Sequence, residues 1–341
     1  MDGLCEVLLK KVKFMAEITI IIPMYNPGRS IVRCLKSLDR QSYQDYEVII
    51  INDGSTDNSL DILSRYLSKN DKLNSKVQVK TRENHGIAET RNYGLKLAKS
   101  KYISFMDQDD FISKDYLQNY YEAMNTGDYD VVVGGYERVS SSGKILSRRI
   151  TRNHKWCMYP VIMPWAHLYK RDFLINNNIE FLDCNIGEDI YFNVLAYQLT
   201  DKVKILSDIG YKWFFNDESV SNTLHRSMDG GLDELKLYNS LYDSLKDINK
   251  ENGEYIEYFF LRSICHNFLY SVRQSKKESV IREYDIIFKW LRERYPKYNK
   301  NIIFRMSCPR GENPVFYMSV VAFYTLDRIK LLKPVLRLLS K

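Results

Sequence analysis

Cysteine is sparse and scattered in this 341-residue chain: six residues, at 5, 34, 157, 184, 265 and 308, with no C-x-x-C pair. That spacing argues against a disulfide framework and a zinc site, and fits a reducing compartment. Long apolar runs are missing as well. No uninterrupted stretch approaches the roughly 20 residues of a membrane-spanning helix. Residues 1–15, which hold Asp2 and Glu6, lack the apolar centre of an export signal. G-x-G-x-x-G is absent, which weakens a dinucleotide-binding oxidoreductase, and no block of like charge or nucleic-acid module stands out. The net charge of +7 is mild and suits a basic surface or anionic partners.

Against those absences stands an ordinary globular composition, 45% hydrophobic and 27% charged, enough for a large α/β domain with an appendage. Residues 18–22, 48–51, 77–80 and 102–106 read as buried strands. Helical spacing falls between them at 30–38, 57–67 and 87–98, and a further helix and strand follow at 116–124 and 129–133. Strands alternating with helices predict right-handed βαβ units and a mostly parallel sheet. Residues 139–149 predict a hairpin, and the texture past 210 turns helical, with candidates at 231–249, 254–274 and 278–293. The expected division is an extension over 1–16, a catalytic domain over 17–228, a helical region over 229–314 and a basic tail over 315–341.

Ligands of such sheets bind beyond the carboxyl ends of the strands, where strand order reverses. The polar clusters fall there: Tyr25-Asn26 after the first strand, Asp53 after the second, and Asp107-Gln108-Asp109-Asp110 after the fourth. Three carboxylates in four residues repel one another. In extended backbone Asp107 and Asp109 share a side and would offer hard oxygens to Mn²⁺ or Mg²⁺. The competing reading makes Asp109 or Asp110 a cap for the next helix. Glu188-Asp189 opens a helical stretch, where the helix dipole favours an ionised carboxylate.

Pro23-x-Tyr25-Asn26, Asn52-Asp53-Gly54-Ser55-Thr56-Asp57, Asn84-x-Gly86, Arg91-Asn92-x-Gly94, Asp107-x-Asp109-Asp110 and Glu188-Asp189 follow one another in that order. This succession resembles the family 2 glycosyltransferases of GT-A fold, over about residues 17–225. Trp165-x-x-Leu168-Tyr169-Lys170-Arg171 resembles the segment before their Glu-Asp pair, except for His167, which puts acceptor-side contacts in question.

The resemblance implies inverting transfer of a sugar from a nucleotide sugar, with UDP the favoured nucleotide, to an acceptor hydroxyl. It implies Asp189 as general base beside Glu188. Asp53 would read the base, with Pro23, Tyr25, Asn26, Arg91, Asp107 and Gln108 around the nucleotide sugar. Asp109 and Asp107, with His225 as a weaker candidate, would hold the divalent cation. Trp165 and Trp156 are candidate acceptor-site rings. For Arg91 the plainer alternative is a pair with Glu89 or another surface carboxylate. The 26 tyrosines are more simply compositional bias than sugar platforms.

A Gln-x-x-Arg-Trp motif and spanning helices, which processive relatives carry, are absent, so a non-processive enzyme is expected. Residues 326–341 interleave leucines with Arg328, Lys330, Lys333, Arg337 and Lys341 against Asp327. That pattern reads as a basic amphipathic helix, kinked at Pro334, lying on the inner, anionic face of a membrane. A polyprenyl-linked acceptor for cell-surface glycan would fit it, with the protein cytoplasmic. The rivals are a sugar nucleotidyltransferase, which needs a Gly-rich basic loop where Pro23-Met24-Tyr25-Asn26-Pro27 stands, and an inactive nucleotide-sugar-binding module.

Overall fold

The computed structural model describes residues 16–151, 154–184, 187–215, 227–229, 234–246 and 253–341. Among these, the sheet at the centre runs in the order β10-β6-β9-β4-β1-β2-β3. Its strands are β1 (Ile18–Met24), β2 (Tyr46–Asp53), β3 (Val77–Arg82), β4 (Tyr102–Phe105), β6 (Val131–Val133), β9 (His167–Lys170) and β10 (Val203–Ile205). β1 and β2 are near-continuous Ile/Val runs because both their faces are covered, as parallel central strands require. β3 is the edge, and it carries Lys80 and Arg82 on an exposed strand, a polarity that discourages edge-to-edge pairing.

Ile21 sits opposite Ile49 on one side and Phe105 on the other, so β1 divides the sheet. From β1 the order proceeds to β2 and β3 in one direction and to β4 in the other, which opens a crevice beyond the ends of β1 and β4. The mostly parallel sheet matches expectation, with one addition. β9 inserts antiparallel between β4 and β6. A second sheet, in the order β5-β11-β7-β8, comprises β5 (Phe111–Ile112), β7 (Tyr136–Val139), β8 (Ile145–Arg149) and β11 (Tyr211–Phe214). Its β7–β8 pair is the hairpin read from the sequence.

The helices of the first half are α1 (Ser30–Asp39), α2 (Ser59–Leu67), α3 (Asp71–Asn74), α4 (Ile87–Leu97) and α5 (Tyr116–Asn125), followed by α6 (Arg171–Asn176) and α7 (Glu188–Leu199). α4 lies unusually close to β1: a Cβ on Gly94 would stand 2.4 Å from Ile21 Cγ2. Only glycine lets this helix seat so deeply, and the seating carries Arg91, one turn earlier, to the mouth of the crevice.

The C-terminal helices are α8 (Glu234–Leu245), α9 (Gly253–Ser271), α10 (Lys277–Arg294), α11 (Tyr298–Phe304), α12 (Pro314–Arg328) and α13 (Leu332–Leu339). Their buried faces join those of β4, β6 and α7 in one contiguous apolar core. The tail is part of this packing. Val320, Phe323 and Tyr324 of α12 and Leu332 and Leu336 of α13 are buried. The break between the two helices lies at Lys330, whose φ is +63°, and not at the expected Pro334. Pro334 occupies the first turn of α13, where a missing N–H costs nothing.

Candidate functional site

Four loops meet at the crevice, and hydrogen bonds lock them together. Gln108 clamps the backbone of Tyr25: its Oε1 accepts from Tyr25 N at 2.8 Å and its Nε2 donates to Tyr25 O at 3.0 Å. Asn26, held at φ +46°, accepts from Thr56 N at 2.8 Å and from Asp57 N at 3.3 Å. The β1, β2 and β4 loops are therefore one assembly. Its Tyr25 ring is left 47% exposed, which makes it available to an incoming planar group, and Pro23 is buried inside β1.

Asp53, at the end of β2, is buried and accepts from Arg82 Nε and His85 N at 3.1 Å each and from Gly86 N at 2.9 Å. A carboxylate has about four lone-pair sites. Three are used in shaping the β3–α4 loop, which leaves one for a further donor.

The Arg91 guanidinium is the hub of the site. It bonds Asp107 Oδ1 and Glu188 Oε1 at 3.0 Å each and lies over the Phe181 ring. Its partner is not Glu89. Burial alone would lower its pKa, but the carboxylates of Asp107, Glu188 and Asp189 outweigh that and raise it. The neighbouring Asn92 makes a paired contact with the backbone of Phe181, donating at 2.9 Å and accepting at 2.7 Å. One helix thus joins the β4 loop to the segment that enters α7.

The acidic stretch after β4 is a turn rather than extended backbone, with Asp110 N donating to Asp107 O at 3.2 Å. The alternation argument for Asp107 and Asp109 does not apply, and each carboxylate has its own fate. Asp110 is fully buried and accepts from Tyr211 Oη at 2.7 Å and Phe214 N at 2.8 Å. Neither Asp109 nor Asp110 caps α5, whose N-cap position is Asp115.

The Asp109 carboxylate takes the N–H of its own residue and has the Arg33 charge nearby. Its pKa is pushed up to about 6, by burial first and then by the charge of Asp107. Among the described residues no cluster of three or more His, Cys, Asp or Glu forms a ready cage for a metal. Mg²⁺-type sites, however, take only one or two protein carboxylates and complete their shell with phosphate and water. Asp109, whose charge Arg33 offsets only in part, and Asp107, engaged by Arg91 at Oδ1 alone, fit that donor set.

Asp189 begins α7 beside Glu188, and its Oδ1 accepts from Ile190 N at 2.8 Å. Burial, followed by the charge of Glu188, raises its pKa to about 7, although Arg91 and the Ile190 N–H pull the other way. The expected preference for ionisation at the helix start is overcome by burial. The turn into α7 depends on Gly187, at φ +86°, where a Cβ would also stand 2.6 Å from Leu237 Cδ2 of α8.

The two candidate acceptor-site tryptophans lie in the interior. Trp156 is 1% exposed and donates to Glu312 Oε2 at 3.2 Å, against Tyr159 and Tyr258. Trp165 is 3% exposed and stacks on Tyr211 with ring centroids 4.5 Å apart. Neither offers an open face to an acceptor, which corrects that reading. His167 is likewise buried, bonded to Trp165 O at 2.7 Å and to the Tyr197 hydroxyl, and desolvation pushes its pKa down to about 4. It is a core histidine. His225 lies outside the described residues.

Tyr211 and Arg82 belong to the site and were not singled out from the sequence. Tyr211 Oη accepts from Asp107 N at 3.2 Å while donating to Asp110, and so fixes the acidic turn. The aromatic strand from Tyr211 to Phe214 was the available signal. Arg82, at the end of an edge strand, gave none.

Residues 19–186 match the family model described as Glycosyl transferase family 2. That matching stretch is just under half of the chain and holds β1 through α6, with the crevice loops between them. It is 30% identical over 219 residues to the glycosyltransferase EpsJ of Bacillus subtilis, a match covering 60% of the chain and 62% of that relative. It is 31% identical over 202 residues to the poly(ribitol-phosphate) beta-glucosyltransferase of Bacillus spizizenii, covering 57% of the chain but 32% of that enzyme. Glycosyltransferase GlyA of Streptococcus pneumoniae is 25% identical over 273 residues, with 70% of this chain and 38% of that one covered. The chain thus spans between about a third and three fifths of these relatives. Among solved structures, residues 1–349 of S. aureus TarS in complex with UDP superpose with a TM-score of 0.57 at 18% identity, covering 95% of this chain and 86% of that one. The fold is GT-A.

Proposed function

We propose that this protein is an inverting, non-processive glycosyltransferase that moves a sugar from a UDP-sugar to a hydroxyl of a glycan acceptor. The observation that carries the proposal is the Asp107–Arg91–Glu188 bridge, which brings the acidic turn and the Asp189 helix to one crevice. In this reading Tyr25 flanks the base and the spare lone pair of Asp53 accepts the uracil imide N–H. Two named relatives support a polymer acceptor, since the Bacillus enzyme and TarS of Staphylococcus aureus are both called poly(ribitol-phosphate) transferases. TarS has been solved with UDP and with UDP-GlcNAc.

Inverting transfer is an in-line attack on the anomeric carbon, with the bond to the diphosphate breaking as the bond to the acceptor oxygen forms. Asp189 takes the hydroxyl proton late, when that oxygen has become acidic. Its pKa near 7 matches a general base working close to neutrality. Glu188, neutralised by Arg91, holds the helix start in place. Asp109 and Asp107 would hold a Mn²⁺ or Mg²⁺ ion, which when bound supplies Lewis-acid stabilisation of the leaving diphosphate.

The acceptor, in this proposal, is lipid-linked, and α13 touches an anionic membrane. Leu338 is 83% exposed, with Leu331, Arg337 and Lys341 also exposed. No helix among the described residues is long and apolar enough to cross a membrane. Because one face of α12 packs in the core through Val320, Phe323 and Tyr324, deleting the whole tail would damage the fold. The appropriate variant is Leu338→Ser with Arg337→Gln and Lys341→Gln, which should stop co-sedimentation with anionic vesicles.

The central experiment incubates the protein with a panel of nucleotide sugars and Mn²⁺ and scores slow donor hydrolysis. Turnover of one UDP-sugar, stimulated by the ion and abolished in Asp109→Asn, is expected. Turnover of none would end the reading.

A further inference from the structure

The face of α1 turned away from the core carries a charge pattern that the proposed transfer does not use. Arg29, Arg33, Lys36 and Arg40 recur at i, i+4, i+7 and i+11, so they form one stripe along the helix. At about 1.5 Å per residue that stripe is roughly 16 Å long. It borders an open groove of about 560 Å³, closed on the other side by Phe111, Ile112 and Lys114. Five cations line the groove and no carboxylate does.

Among the described residues, none of the five side chains enters a salt bridge. Arg33 Nε is buried without an acceptor. Like charges at helical spacing repel, and Arg33, toward the crevice end of the stripe, has carboxylates nearby, those of Asp109 and Asp110. Arg33 ties the groove to the acidic turn of the crevice. Arg33 donates to the backbone carbonyl of Asp109, and its guanidinium lies 3.5 Å from the centre of the Phe214 ring, the residue whose N–H holds Asp110.

We infer that this groove is a second anion site, which binds phosphate groups of the acceptor while the acceptor hydroxyl reaches the crevice; this assignment of the ligand rests on the transfer reading. An extended ligand carrying more than one phosphate suits a stripe of this length. Two sources share that chemistry: the pyrophosphate of a lipid carrier and the phosphodiesters of a glycan chain.

The test uses the full chain saturated with UDP, so that the donor site is blocked. Inorganic pyrophosphate and a synthetic oligo(glycerol phosphate) are titrated calorimetrically, and the tighter of the two identifies the source. The variant Lys36→Gln, Arg40→Gln, Lys114→Gln should weaken both at least tenfold, with UDP affinity and melting temperature unchanged. A control, Lys69→Gln, Lys72→Gln, Lys80→Gln, removes the same charge from exposed sites outside the groove and should leave binding intact. The inference fails if the groove variant binds the probes as wild type does, if the control loses as much, or if UDP displaces the probes entirely. Wild-type protein that binds the probes but not UDP would overturn the transfer reading and leave the phosphate site standing.

Discussion

Buried carboxylates occur in two parts of this molecule, and they are treated differently. In the C-terminal helices Glu312 accepts from Arg262 Nε at 2.6 Å, Trp156 Nε1 at 3.2 Å and Tyr258 Oη at 3.4 Å, and Asp327 accepts from the hydroxyls of Tyr284 and Tyr298. Those groups are satisfied, and their effect is to fix helix against helix. In the crevice Asp109 and Asp189 are half-buried and bond to no side chain among the described residues, and desolvation drives both toward neutrality despite the nearby charges of Arg33 and Arg91. A fold selected for stability alone would not leave them so. Carboxylates fixed by several bonds do structural work in both parts, Asp53 and Asp110 in the crevice as much as Glu312 and Asp327 among the helices, and the two pushed toward neutrality are the candidates for chemistry.

The largest expected effect tests the working side of that contrast. Asp189→Asn should reduce sugar transfer or donor hydrolysis by roughly 10²–10⁴-fold, the usual worth of a general base, with UDP affinity nearly unchanged in calorimetry. The same variant should melt at a higher temperature. Its pKa is raised on folding, so the native state holds the proton longer than the unfolded chain, and stability falls as pH rises from the ordinary carboxylate range to about 7. Removing the charge removes that cost. Wild-type activity should run the opposite way, declining about tenfold per unit as pH falls below about 7. A flat pH–rate profile in the wild type would take the base role away from Asp189.

Arg91→Met comes next, and it tests the bridge between the two groups. It leaves Asp107 and Glu188 facing each other without the cation they share, and breaking a buried pair from one side costs about 3 kcal/mol or more. A fall in denaturation midpoint together with loss of UDP binding is expected. A change in only one of the two would separate the structural role of Arg91 from its role at the nucleotide.

Much of the working region was legible before any coordinates, because its strands are unbroken β-branched runs and its loops carry turn residues beside charges. Four things were hidden. β9 has four residues, and His167 within it reads as polar in sequence although Trp165 O and the Tyr197 hydroxyl satisfy it in the core. Trp156 and Trp165 have the composition of a sugar platform, and only packing reveals that their rings face inward. The acidic cluster was visible in the sequence but its turn was not: Asp110 belongs to Tyr211, a partner 101 positions away that no local pattern connects to it. The basic stripe on α1 was periodic throughout, yet a net charge of +7 spread over the chain conceals such local excess.

The smallest expected effect lies on the scaffold side, and it sharpens the contrast. Glu312→Gln keeps the shape and an acceptor for Trp156 and Tyr258 but removes the charge that Arg262 meets at 2.6 Å. Arg262 is about a quarter exposed and can turn its guanidinium toward water, so the loss should be only about 1–2 kcal/mol, seen as a shift in urea midpoint. Donor hydrolysis should not change, since Glu312 belongs to the helical packing rather than to the crevice loops. If activity fell as steeply in this variant as in Asp189→Asn, the division between satisfied scaffold and strained site would be mistaken, and the C-terminal helices would have to be counted as part of the catalytic apparatus.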